Sequence, residues 1–147
     1  MKKFHVHFMK LWANDFCSLS DNDKFPEAPG AYVLGSADGT VFQYPWGTSP
    51  IYYIGKSDNL RQRLSEHKRH TSNAEEDYYQ YWWPRYQYGA AFGSDIAIYR
   101  SDKAGKSSDQ LERELIEEFW EAFGSIPVAN GAWPKVLDEP KGDEDDA

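Results

Sequence analysis

Apolar positions recur with two periods along this chain, and the change from one to the other marks its elements. Phe4, Val6 and Phe8 alternate with His5 and His7, which predicts a short N-terminal strand with one buried face. Residues 18–29, with two prolines among Ser, Asp and Asn, read as a loop. Gly30 to Leu34 predicts a strand, and the Asp38-Gly39 turn signal joins it to a second apolar run, Thr40 to Tyr44, as an inserted hairpin. After the turn-rich stretch Pro45 to Pro50, Ile51 to Ile54 predicts a second compact strand.

The period then lengthens. Ser57 or Asp58 can cap a helix carrying Leu60 and Leu64 at i, i+4. Residues 71–77 are polar, and residues 78–88 are dense in aromatics broken by Pro84, with no assignable period. Ile96 and Ile98 alternate within Asp95–Arg100, a third strand. Lys103 to Ser108 is a loop ending in a cap, and a long helix runs from about Asp109 to Phe123, where Gly124 stops it. The expected class is α+β, without internal repeats.

At 147 residues with 40% hydrophobic and 16% aromatic content, the chain can bury a core of its own as one domain. Its single cysteine, Cys17, cannot close an internal disulfide, and the start MKKFHVHFMKLW is too short and too polar for a signal peptide or membrane span. A soluble, cytoplasmic protein with no membrane partner is expected. The formal net charge of −8 opposes binding to a polyanion. Its distribution does not. The last ten residues hold six acids and Lys141, a net −5, leaving −3 for the rest. Between Lys56 and His70, five cations (Lys56, Arg61, Arg63, Lys68, Arg69) face only Asp58 and Glu66.

The long helix carries the clearest anomaly. Leu111, Leu115, Ile116, Phe119, Ala122 and Phe123 share one arc, and Glu112 interrupts it. A carboxylate there is paired with an arginine, protonated, or bound to a metal. On the first helix Arg63 lies beside the apolar stripe, with His67 one turn on and Arg61 pointing elsewhere. Arg63 suits either a bidentate grip on phosphate or an ion pair to Glu112. His67 reads as a packing residue or a substrate contact. Tyr32, Tyr52 and Tyr53 are ordinary strand residues whose phenols could take a proton from water if a nearby cation lowered their pKa. Gly55-Lys56-Ser57 leads into a helix N-terminus, a favourable place for an anion. Tyr78, Tyr79, Tyr81, Trp82, Trp83, Tyr86 and Tyr88 surround Arg85, a set that could stack on unpaired bases, grip a protein or simply pack. His5 and His7 lack a third metal ligand at fixed spacing.

Gly30-Ala31-Tyr32, Tyr53-Ile54-Gly55, Arg63, Glu112 and Asn130 together resemble the GIY-YIG nuclease family, with Ala31 in place of Ile. The resemblance covers about residues 29–131, leaving 1–28 as an N-terminal extension and 132–147 as an acidic tail expected to be disordered. It implies a small three-stranded antiparallel sheet flanked by helices, here with an extra N-terminal strand and the hairpin insertion. It also implies a metal-dependent endonuclease acting on nucleic acid, most simply DNA. Glu112 would hold one Mg2+ or Mn2+, Arg63 would stabilise phosphate charge, Tyr32 or Tyr53 would orient or deprotonate water, and Lys56 would assist. Asn130 would brace the site, and with His67, Arg61, Lys68 and Arg69 would contact substrate. The alternative is a non-catalytic module on the same fold that binds nucleic acid or protein.

Overall fold

The structure, a computed structural model, describes residues 13–76 and 83–131. The expected strand at residues 4–8 and the acidic tail lie outside these residues, as do Tyr78, Tyr79, Tyr81 and Trp82. The chain is α+β, built on a four-stranded antiparallel sheet in the order β1-β6-β2-β5. The three strands read from the pattern form its contiguous part: β2 (Gly30–Gly35), β5 (Ile51–Ser57) and β6 (Asp95–Arg100). The fourth, β1 (Asp15–Ser18), pairs with β6 and was not visible in the pattern. Only Cys17 of β1 is buried, so this edge strand has too little alternation to announce itself. Phe25, next to a 3-10 turn at Asn22–Lys24, is also part of the core, so residues 13–28 contribute to the same packed unit as the rest.

The hairpin exists but closes elsewhere. Asp38-Gly39 does make a turn, with Asp38 Oδ1 accepting from the Thr40 N–H at 3.0 Å and Gly39 at φ +89°. The paired strands, however, are β3 (Phe42–Tyr44) and β4 (Gly47–Ser49), which turn at Pro45-Trp46 as a separate two-stranded sheet. Tyr44 fixes that sheet to the main one by donating its hydroxyl to the Ile51 carbonyl at 2.7 Å.

Two apolar layers cover the sheet. On one face α4 (Ser108–Phe123) lays Leu111, Leu115, Ile116 and Phe119 on Ala31, Val33 and Ile54. Ser107 caps α4 through the Gln110 N–H, and Gly124 ends it at φ +80°. Ala122, expected on the apolar arc, is exposed, while Phe123 next to it packs against the core. On the other face α1 (Leu60–Glu76) buries Leu60, Leu64, His67, Thr71 and Ala74. Its cap is Asn59, whose Oδ1 accepts from the Gln62 N–H, rather than Ser57 or Asp58; Ser57 holds Asn59 in place through a local turn. The aromatic stretch yields α2 (Pro84–Phe92), packed on α1, and α3 (Ser101–Ala104) is a single turn that runs from the end of β6 into the start of the expected loop.

Candidate active site

A bulge in β5 sets the site. Leu34 pairs with Tyr53 but Gly35 pairs with Ile51, so Tyr52 is the extra residue. A bulge turns two successive side chains to one side of a sheet. Tyr52 and Tyr53 therefore both lie with the α1 layer, while Ile51 and Ile54 lie with the α4 layer. No periodic pattern in the sequence signals this.

Tyr32 stands opposite Gly55, and its ring crosses that glycine to meet Tyr53, with centroids 6.1 Å apart. A Cβ on Gly55 would come within 2.6 Å of Tyr32 Cζ and Oη and 2.9 Å of Tyr53 Cε2. Glycine is required here by the phenols, not by backbone angles. Tyr32 is buried, and Tyr53 is only partly so. Burial raises both phenol pKa values, Tyr32 further than Tyr53, and the charges of Arg63 and Arg85 offset this in part. The expectation of a lowered phenol pKa is thus corrected for the protein by itself: desolvation outweighs the guanidiniums.

Glu112 is half-buried at the second turn of α4 and makes no hydrogen bond or ion pair among the described residues. Burial pushes its carboxyl up to about 7, against the pull of Lys56 and with a further push from Asp109. The expected alternative partner, Arg63, does not pair with it. Arg63 is exposed on α1 and lines an open polar cleft of about 360 Å³. The other walls of the cleft are Lys56–Asn59, Gln62, Glu66 and Ser108. Lys56 forms an ion pair with Asp109. Burial draws its pKa down, but the Asp109 hydrogen bond and the charges of Asp109, Glu112 and Asp58 outweigh this, so it stays an ammonium above its usual range.

The site wraps around β5, the edge strand of the sheet. Gly55 and Tyr53 face the α1 side; Lys56 reaches Asp109 on the α4 side. Asn130 closes the edge: its Oδ1 accepts from the Ile54 N–H at 3.0 Å and its Nδ2 donates to the Ile54 carbonyl at 2.9 Å. That amide braces the strand. His67 is 2% exposed beneath the rings of Tyr53 and Tyr86, and its Nε2 has no hydrogen-bond partner among the described residues. Burial, with the charges of Arg85, His70 and Arg63, drives its pKa down to about 3. It is a neutral packing residue, continuing the 60-64-67-71-74 stripe that the spacing on α1 could have shown.

The remaining expected substrate contacts divide. Arg61 donates to the Phe25 carbonyl at 2.7 Å and pairs with Glu27, and Lys68 donates to Asn22 Oδ1 at 2.7 Å, so both hold the 22–27 loop onto α1. Arg69 is exposed. Sequence reasoning did not place Arg85 at the site, yet its charge reaches Tyr32, Tyr53 and His67.

Among the described residues no three His, Cys, Asp or Glu side chains converge as a metal-ligand group. A single hard carboxylate without a protein partner among the described residues nonetheless fits Mg2+, which keeps several waters and takes few protein ligands. No described helix is long and apolar enough to cross a membrane. Comparison with protein-family models and with curated proteins finds no match for this chain.

Proposed function

We propose that the chain is a metal-dependent endonuclease of GIY-YIG type that hydrolyses phosphodiesters in nucleic acid, DNA in the first instance. The observation that carries the reading is Glu112, a half-buried carboxylate without a hydrogen-bond or ion-pair partner among the described residues, within electrostatic reach of the same phenol, Tyr53, that Arg63 faces. A carboxylate left in that state is expected where a cation is to be received. The antiparallel β2-β5-β6 unit flanked by α1 and α4 supports the family reading as well.

One Mg2+ or Mn2+ on Glu112 would supply charge neutralisation at the scissile phosphate and at the leaving oxygen. Arg63, exposed in the cleft, donates its planar fork to the non-bridging phosphate oxygens as charge builds. Tyr53 is the better placed of the two phenols to orient the attacking water, being less buried than Tyr32, which packs behind it. Lys56 is locked as an ammonium by Asp109, so it acts as a fixed positive charge and not as a base. In a plasmid-nicking assay the wild-type protein should nick with Mg2+ and stop with chelator. Tight binding of nucleic acid with no nicking under either metal would replace this reading with that of a non-catalytic binding module.

A further inference from the structure

The segment between α1 and β6 brings a second guanidinium to Tyr53. Pro84 opens α2, and Arg85 follows it directly. Arg85 Cζ lies 4.7 Å from the Tyr86 ring centroid, 5.7 Å from Tyr53 and 5.9 Å from Trp83. All three are within the range of cation–π attraction. No carboxylate lies within ion-pair distance of Arg85 among the described residues. A guanidinium steadied by ring faces keeps its N–H edge for an outside acceptor.

The placement is rigid. Tyr86 is buried between the rings of His67 and His70, at 5.0 and 5.1 Å. Gly89 lies so close to Thr71 and Ser94 that a Cβ would meet them at 3.0 and 3.1 Å. Trp83, at the start of the same helix, is 41% exposed. A cation therefore stands by the ring of Tyr53, the phenol of the proposed site, with a large, partly exposed ring on its other side.

We propose that Arg85 and Trp83 form a subsite for an unpaired nucleotide: the guanidinium takes a backbone phosphate next to the scissile one, and the indole takes the base. The inference rests on the nuclease reading of the same cleft and narrows its substrate to single-stranded or flap-bearing nucleic acid. An aromatic ring stacks on a base only when that base has left its own helix, so continuous duplex cannot use the indole.

The test is binding of the full chain, in chelator so that no cleavage occurs, to an end-labelled oligothymidylate of about 12 nucleotides and to the matching duplex over a range of salt. Wild type should prefer the single strand. Trp83→Ala should weaken single-strand binding about 5- to 100-fold and leave duplex binding unchanged. Arg85→Gln should lower the single-strand salt slope by about 0.7, and Arg85→Lys should restore the slope without the full affinity. Thermal melts accompany each variant; if Arg85→Gln melts early, Trp83→Ala and Arg85→Lys decide. Unchanged binding in these variants, or equal weakening on single strand and duplex, overturns the subsite. Loss of single-strand binding in a protein that never nicks DNA with Mg2+ would keep the subsite and overturn the nuclease reading instead.

Discussion

Asn130 meets Ile54 as one strand meets the next: its side-chain amide accepts from the N–H and donates to the carbonyl of that single residue. The Ala129 N–H adds a bond to the Tyr52 carbonyl at 2.8 Å. Together they satisfy the outer edge of β5 on either side of Tyr53, where an unpaired backbone would otherwise be left. The Asn130 side chain thus acts on the backbone next to the tyrosine. Asn130→Ala should cost about 1–3 kcal/mol in urea unfolding, since two buried backbone groups lose their partner. Asn130→Asp keeps the acceptor and should cost less. Identical midpoints for wild type and Asn130→Ala would remove the bracing role.

Gly55→Ala tests the phenol pair. The new methyl meets Tyr32 and Tyr53 below van der Waals distance, so one ring must move. We expect about 1–3 kcal/mol of destabilisation by overpacking and loss of nicking activity in protein that still folds. Wild-type nicking by Gly55→Ala would show that the ring arrangement is dispensable.

Arg63→Lys keeps the charge and loses the fork. Because Arg63 is exposed and has no ion pair among the described residues, stability should change by less than about 0.5 kcal/mol while the nicking rate falls steeply. Arg61→Ala is the contrast: it releases the Phe25 carbonyl and Glu27, so it should lower the melting temperature slightly and spare the rate. A lysine variant as fast as wild type would reduce Arg63 to general electrostatics.

Glu112 and His67 make opposite contributions to stability as pH changes. The Glu112 pKa is about 7 when folded against 4.5 for the reference carboxyl, so between these values the native state holds the extra proton and stability falls as pH rises. The His67 pKa is about 3 against 6.5, so over that range the unfolded state holds the extra proton and stability rises with pH. From pH 4.5 to 6.5 the two slopes, each about 1.4 kcal/mol per pH unit, cancel. The charged groups facing His67 are Arg63, Arg85 and His70; those facing Glu112 are Lys56 and Asp109.

Glu112→Gln should therefore abolish nicking, raise stability most above pH 7, and unmask a rising slope through pH 4.5–6.5. His67→Gln should unmask the falling one. Urea unfolding at half-unit pH steps reads both. Parallel pH profiles for wild type and both variants would sink the assignment of these two buried groups.

The strands at Gly30, Ile51 and Asp95, α4 with its Gly124 stop, and the odd position of Glu112 were all legible in the sequence. Each follows from local chemistry: a period of two, a period of 3.6, a cap, or a charge on an apolar arc. β1 was not legible, because a short edge strand needs only a neighbour's backbone and carries no periodic signature of its own. The hairpin's true turn at Pro45-Trp46 was hidden by a stronger signal at Asp38-Gly39, which is a turn that no strand pair uses. Tertiary structure alone decided the rest of the site. The β5 bulge put Tyr53 on the α1 face, α1 buried His67 and left Arg63 in the cleft, and α2 carried Arg85 onto the tyrosine rings. Apart from the burial of His67, which continues the α1 stripe, none of these could be read from spacing, because each depends on which distant element packs against the residue.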